Sequence, residues 1–131
     1  MASIFSKIIA GEIPCHEVWQ DDDHLAFMDI RPVQPGHCLV IPKEEISHVT
    51  DLSPEAHAKL WAAVHHVAGK LKKASGCERM VYMVVGWEVP HVHVHLIPTN
   101  SAGDTGFPDP CEFDPAHFPE WAQKIASAPA S

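Results

Sequence analysis

The sequence predicts an α+β domain: a five-stranded antiparallel sheet with one long helix and a short N-terminal helix, followed by an irregular C-terminal tail. Three observations predict it. The periodicities run helix, three strands, long helix, two strands. The links between strands are short, which favours antiparallel neighbours with helices packed on one side. The 131 residues suit one domain, and a chain near this size buries roughly two thirds of its unfolded surface, enough for a real core.

Each element has a local reason. Ser3 to Gly11 reads as a short helix: Ser3 is placed to cap it, Ile4, Phe5, Ile8 and Ile9 form one stripe, and Gly11 then Pro14 end it. Glu17–Gln20 reads as a strand, Asp21–Asp23 as a turn, and His24–Asp29 as the return strand. Arg31–Gly36 is a loop by its proline and glycine content. His37–Ile41 is a third strand closed by Pro42, and Lys43–Leu52 reads as irregular. Ser53-Pro54-Glu55 is a helix start, with a cap, a proline at the first helical position and an acid in the first turn. Leu60, Trp61, Val64, Val67, Ala68 and Leu71 then recur at helical spacing to about Ala74, giving one face to cover a sheet. Gly76 stops that helix. Arg79–Val85 is the fourth strand, broken by Gly86, and His91–Ile97 is the fifth. From Thr99 the chain is rich in proline, aspartate, glycine and alanine. Asp104–Pro115 reads as a loop or tail, and Phe118–Ile125 as a short last helix docked by Phe118, Trp121 and Ile125. The expected organisation is a domain over residues 1–98 and an extension over 99–131 within the same structural unit.

Composition excludes some functions. The formal charge of −8 argues against general affinity for nucleic acid or an anionic membrane, where a basic patch is expected. Lys70, Lys72 and Lys73 read as a solvated helix end, where cations suit the macrodipole. Cys15, Cys38, Cys77 and Cys111 are scattered and form no CxxC pair. No charged segment precedes an apolar run at the N-terminus, and no apolar run approaches the roughly 20 residues that span a bilayer. Free thiols in a reducing cytoplasm are the expectation.

The most informative stretch is His91-Val92-His93-Val94-His95-Leu96-Ile97-Pro98. On a strand, side chains alternate between faces, so three imidazoles line one side and Val92, Val94 and Leu96 the other. Next-nearest residues lie roughly 6.5–7 Å apart on a strand, close enough for the rings to converge on one small anion or metal ion. Three readings compete. The histidines pack structurally, as His16, His24, His57, His65 and His66 are expected to do. They bind a metal, imidazole suiting zinc, copper, iron and nickel, with His37 and His48 as distant ligands. Or one imidazole attacks phosphorus while a neighbour holds the developing charge and a nearby group protonates the leaving atom.

His91 to Pro98 resembles the signature of the histidine-triad (HIT) family, in which three histidines alternate with apolar residues. The resemblance extends upstream: Ile4–Ile9 with Glu12-Ile13-Pro14, then Leu25–Pro32, then Pro35–Pro42, are similar to the family's earlier blocks in the expected order. It spans roughly Ser3 to Pro98. The resemblance implies a nucleotide hydrolase or nucleotidyl transferase that cleaves at the α-phosphate of an AMP-linked substrate: a phosphoramidate, an adenylate or a dinucleoside polyphosphate. It makes His93 the nucleophile and gives His95 a phosphate oxygen to bind or polarise. His91 and His37 become a supporting hydrogen-bond network. Asp29 matches the acceptor for the ribose hydroxyls, and Phe5, Ile8, Phe27 and Ile30 match an apolar slot for a purine. It implies a homodimer joining two sheets edge to edge; no cofactor and no metal are expected. The alternative is a nucleotide-binding or regulatory protein of the same fold.

Two stretches depart from the family pattern. Family members carry a longer glycine-rich stretch before the triad, where this chain has only Gly86-Trp87-Glu88-Val89-Pro90. Glu88 falls where a phosphate-contacting hydroxyl is expected, and a carboxylate beside a phosphate is unfavourable unless protonated, paired or turned away. Glu88 is therefore expected to orient a triad histidine or to favour an amine-bearing leaving group. Some relatives also hold a structural zinc through a CxxC at the first helix, and Ser3 and Ser6 occupy that spacing here.

Overall fold

The computed structural model describes residues 2–131. The first helix, α1 (Ile4–Ile9), begins where the Ser3 hydroxyl accepts the Ser6 amide at 3.0 Å. It ends at Ala10, one residue before Gly11 takes a positive φ of 80°. Four further elements lead to the middle of the chain: β1 (Glu17–Gln20), β2 (His24–Met28), β3 (Cys38–Pro42) and α2 (Pro54–Ser75). The expected signals set the bounds of α2. Ser53 accepts the Ala56 amide at 3.1 Å, Pro54 and Glu55 open the first turn, and Gly76 closes the helix in the left-handed conformation at φ 68°. Then come β4 (Arg79–Val84), β5 (Val94–Thr99) and α3 (Phe118–Ser127).

The five strands form one antiparallel sheet in the order β1-β2-β3-β5-β4. Its two faces carry different cores. On one, Val18, Ala26, Met28, Cys38, Val40, Val92, Val94 and Leu96 pack against Leu60, Val64, Val67 and Leu71 of α2 and Phe118, Ala122 and Ile125 of α3. On the other, Leu25, Phe27, Leu39 and Ile41 pack with Phe5 of α1. Burial on both sides explains why β2, after His24, and β3 run apolar rather than alternating.

Two expectations need correction. β5 begins at Val94, so His91 and His93 precede the ladder rather than lying within it. Their segment is tied down by single bonds, the Val92 amide to the Ile46 carbonyl and the His91 amide to the Val89 carbonyl. The short last helix expected over Phe118–Ile125 forms as α3, a ten-residue helix whose apolar stripe packs on α2 and β1. Lys70 is not solvated. It is buried, and its Nζ donates to the carbonyls of Ala126 and Ala128, both at 2.9 Å, where α3 leaves its last acceptors unmatched.

Candidate active site

Strand register puts the histidines on the α1 face. Leu39 pairs with His95 across β3 and β5, so both side chains project to the same side, with the Phe5–Phe27 cluster. The odd residues of the triad run therefore face α1 while Val92, Val94 and Leu96 sink into the α2 core. His91, His93 and His95 are all buried. Their rings follow one another: Phe5 lies 5.0 Å from His93 and His93 lies 5.0 Å from His95, centroid to centroid.

The hydrogen bonds assign a tautomer to every ring. His91 Nε2 donates to the Pro42 carbonyl at 2.7 Å, so its Nδ1 is a lone pair, and the Ser3 hydroxyl donates to it at 2.9 Å. His93 Nδ1 donates to the His91 carbonyl at 2.7 Å. That commits the His93 proton to Nδ1 and leaves Nε2 as a free lone pair. His37 accepts the Val33 amide at Nδ1, 3.0 Å away, so it carries its proton on Nε2. It donates that proton to His95 Nδ1 at 2.9 Å. His95 must then carry its own proton on Nε2, a buried atom with no protein partner among the described residues. A lone pair on one ring and an unpaired N–H on the next are the two groups that attack on a phosphoryl centre requires.

Burial favours the neutral form of His37, His93 and His95. Desolvation lowers His37 to about 3 and His95 to about 4, helped in each case by a neighbouring histidine. His93 is lowered as well, chiefly by desolvation, with the bond to the His91 carbonyl and the charge of Glu88 pulling the other way. Neutral His93 is the nucleophilic form.

Asp29 follows β2, and its amide donates to the His37 carbonyl at 3.0 Å. One carboxylate oxygen accepts the Arg31 amide at 2.8 Å, and the other stands 3.6 Å from His37 Nε2. Desolvation raises its pKa above the usual carboxylate value. Phe5 and Phe27 meet edge to face at 5.6 Å, and Ile8 is half-buried against them. Ile30 stands apart from this cluster, 73% exposed. Glu88 is exposed, but its charge reaches both His93 and Asp29.

The structure adds residues that sequence reasoning missed. Ser3, Ser6 and Glu45 surround His91. Ser6 Oγ donates to Glu45 at 2.7 Å, and the Ser3 amide donates to the same oxygen at 2.5 Å. These bonds hold the Glu45 carboxyl well below the usual carboxylate range. Two hydroxyls and a carboxylate already satisfied by hydrogen bonds replace the thiolates that zinc favours, so this corner does not suit that metal. Ser3 was legible as a helix cap and, with Ser6, at the spacing of a CxxC pair, but nothing in the sequence marks Glu45 as their partner. Asp29, His37 and His95 form a second group whose donor atoms lie within 4.8 Å of one another. His48 lies outside that group.

A family model described as the HIT domain matches residues 10–102. This chain belongs to the HIT family. It is 40% identical over 102 residues to the purine nucleoside phosphoramidase of Escherichia coli K12, covering 72% of this chain and 85% of that protein. It is 39% identical over 103 residues to the adenosine 5'-monophosphoramidase of Schizosaccharomyces pombe, covering 75% of this chain and 74% of that protein. Among solved structures, a HIT-like protein from Bartonella henselae superposes with a TM-score of 0.83 at 35% identity, covering 95% and 94% of the two chains. A zinc-bound histidine triad protein from Mycobacterium smegmatis superposes with a TM-score of 0.83 at 25% identity, covering 97% and 92%. Among the described residues of this HIT protein, no helix is long and apolar enough to cross a membrane.

Proposed function

We propose that this HIT protein hydrolyses AMP-linked substrates at the α-phosphate through a nucleotidyl-His93 intermediate. The observation that carries the reading is the pair of unpaired groups: the Nε2 lone pair of His93 beside the Nε2–H of His95. Phe5, Ile8 and Phe27 take a purine, with Ile30 at the slot's exposed edge, and Asp29 accepts from the ribose hydroxyls. His93 Nε2 attacks phosphorus and the bond to the leaving group breaks. The positive charge on the His93 ring is stabilised by the His91 carbonyl that already holds its Nδ1–H. His95 Nε2–H bonds a phosphate oxygen, and the departing amine takes up one proton from solvent water. A water oxygen then attacks phosphorus, the P–Nε2 bond to His93 breaks, the attacking water gives one proton back to solvent, AMP leaves, and the ring returns to neutral. Each turnover consumes one water and yields AMP and the free amine. The phosphoramidase names of two relatives support this class of substrate. Incubation with adenosine 5'-phosphoramidate should release AMP, and His93→Ala should abolish release while circular dichroism stays unchanged.

Glu88 favours an amine-bearing leaving group in this reading, because its charge lies near His93 and disfavours a second anion there. Glu88→Ser should weaken amine-bearing substrates selectively, and an equal effect on all substrates would sink the idea. The same carboxylate in the short Gly86–Pro90 loop favours a second reading, a nucleotide-binding regulator that binds AMP without turnover. The active form is a homodimer. Its support is the free edge of β4, where Tyr82, Val84 and, in the next loop, Trp87 are 44%, 38% and 94% exposed. Light scattering at assay concentration should give twice the chain mass. Four free thiols fit a cytoplasmic setting.

A further inference from the structure

The ring row that begins at Phe5 does not end at His95. Phe107 continues it, with its centroid 5.0 Å from that of His95 and its plane inclined at 67°. Phe107 lies beyond residue 102, where the family match stops. Two bonds hold its segment against the loop after β2: Gln34 Nε2 donates to the Asp104 carbonyl at 3.2 Å, and the Cys111 amide donates to the Pro32 carbonyl at 2.8 Å. The row thus reads Phe5, His93, His95, Phe107, each 5.0 Å from the next. In the hydrolase reading, the buried His95 Nε2–H, which has no partner among the described residues, takes a phosphate oxygen. In-line displacement puts the leaving group on the side of phosphorus away from His93. Phe5 and the base slot occupy one end of the row, and the other end is Phe107.

We propose that Phe107 is a specificity-determining residue: it forms the wall of the leaving-group pocket and limits the bulk of the group that departs from the α-phosphate. This rests on the hydrolase reading above. The ring hangs on an irregular segment rather than on the sheet, so a small leaving group fits beneath it and a large one must displace it. An apolar wall also leaves a second phosphate without a hydrogen-bond donor there.

The test compares two adenosine phosphoramidates, one with an unsubstituted amine and one with a bulky arylalkyl amine, on wild type, Phe107→Ala, Phe107→Leu and Phe107→Trp. Pocket-size changes alter such discrimination by at least about tenfold. The ratio of kcat/KM, bulky over small, should therefore rise about tenfold in Phe107→Ala, fall in Phe107→Trp, and move little in Phe107→Leu. The Kd of AMP, which has no leaving group, should stay within about twofold, a result that a merely structural role does not give. A ratio unchanged in both Ala and Trp variants, with wild type turning over, overturns the assignment. So does a ratio that moves only in step with AMP affinity. Absence of wild-type turnover of the small substrate overturns the hydrolase reading instead. Binding of the bulky conjugate in the His93→Ala background then decides the wall by itself: removal of the Phe107 ring must tighten it, and equal affinity refutes the proposal.

Discussion

The buried histidines should make this protein acid-sensitive by a calculable amount. In the unfolded chain a histidine titrates near about 6.5. In the fold His37 and His95 titrate near about 3 and about 4, because burial penalises their charged forms. Between those values the unfolded state binds more protons, so stability rises with pH and is lost as pH falls below about 6.5. Near pH 5.5 about nine tenths of an unfolded histidine is protonated and almost none of His95. The difference is worth about 1.2 kcal/mol per pH unit for each ring. From about pH 6.5 to about pH 4.5 this accumulates to about 2 kcal/mol per histidine, a large share of a typical stability of about 5–15 kcal/mol. Urea unfolding across that range checks it, with His95→Gln as the comparison. Asp29, whose pKa is raised, and Asp21 and Glu45, whose pKa values are lowered, also contribute to the wild-type slope. They cancel in the difference between the two proteins. The variant should lose stability less steeply by about 1.2 kcal/mol per pH unit. Parallel slopes would mean that His95 is not held neutral, and the tautomer assignment would go with it.

Three further outcomes follow from the same geometry. The acid limb of kcat/KM should fall below the ordinary histidine value of about 6.5, because burial lowers His93; a limb at or above that value contradicts a neutral His93. Asp29→Asn should weaken AMP binding by about 10- to 100-fold, the range of a hydrogen bond to a charged group of about 1.5–3 kcal/mol. Calorimetry with AMP and deoxy-AMP checks it, and an equal loss for both ligands counts against a ribose contact. Lys70→Met should cost about 1.5–3 kcal/mol in urea unfolding, since it strips the charged donor from the two carbonyls at the end of α3; a change within about 0.5 kcal/mol, typical of surface sites, would mean the lysine is effectively solvated.

Much of the architecture was legible because its signals are local. The Ser53-Pro54-Glu55 start and the Gly76 stop fix α2, and the apolar runs give β1 to β4 to within a residue. The facing of the histidines was also legible, since alternation alone sends Val92, Val94 and Leu96 to the α2 core. Lys70 was misread because its partners are backbone carbonyls 56 and 58 residues away, and carbonyls leave no mark in a sequence. Ile30 matches the base slot by resemblance alone, and strand alternation says nothing of how far a residue two positions past β2 is exposed. Phe107 sits among prolines, glycines and aspartates, where one aromatic side chain has no periodicity to announce it.

The same property of the backbone explains the site itself. Three backbone groups set the protonation of the whole row: the Val33 amide, the Pro42 carbonyl and the His91 carbonyl. The Val33 amide forces the His37 proton to Nε2, His37 passes that choice to His95, and His95 is left with an N–H and no acceptor among the described residues. The His91 carbonyl forces the His93 proton to Nδ1 and bares the opposite nitrogen. Replacing any one histidine in sequence therefore removes a ring, whereas moving the loop that carries Val33 would invert a donor and an acceptor two residues away in the chain of bonds. That loop is also the one to which the Phe107 segment is tied, through Gln34 and Pro32. Displacement of Phe107 by a bulky ligand would thus pull on the element that sets the proton on His95. In the proposed mechanism, selection of the leaving group and readiness of the His95 N–H would share one mechanical support.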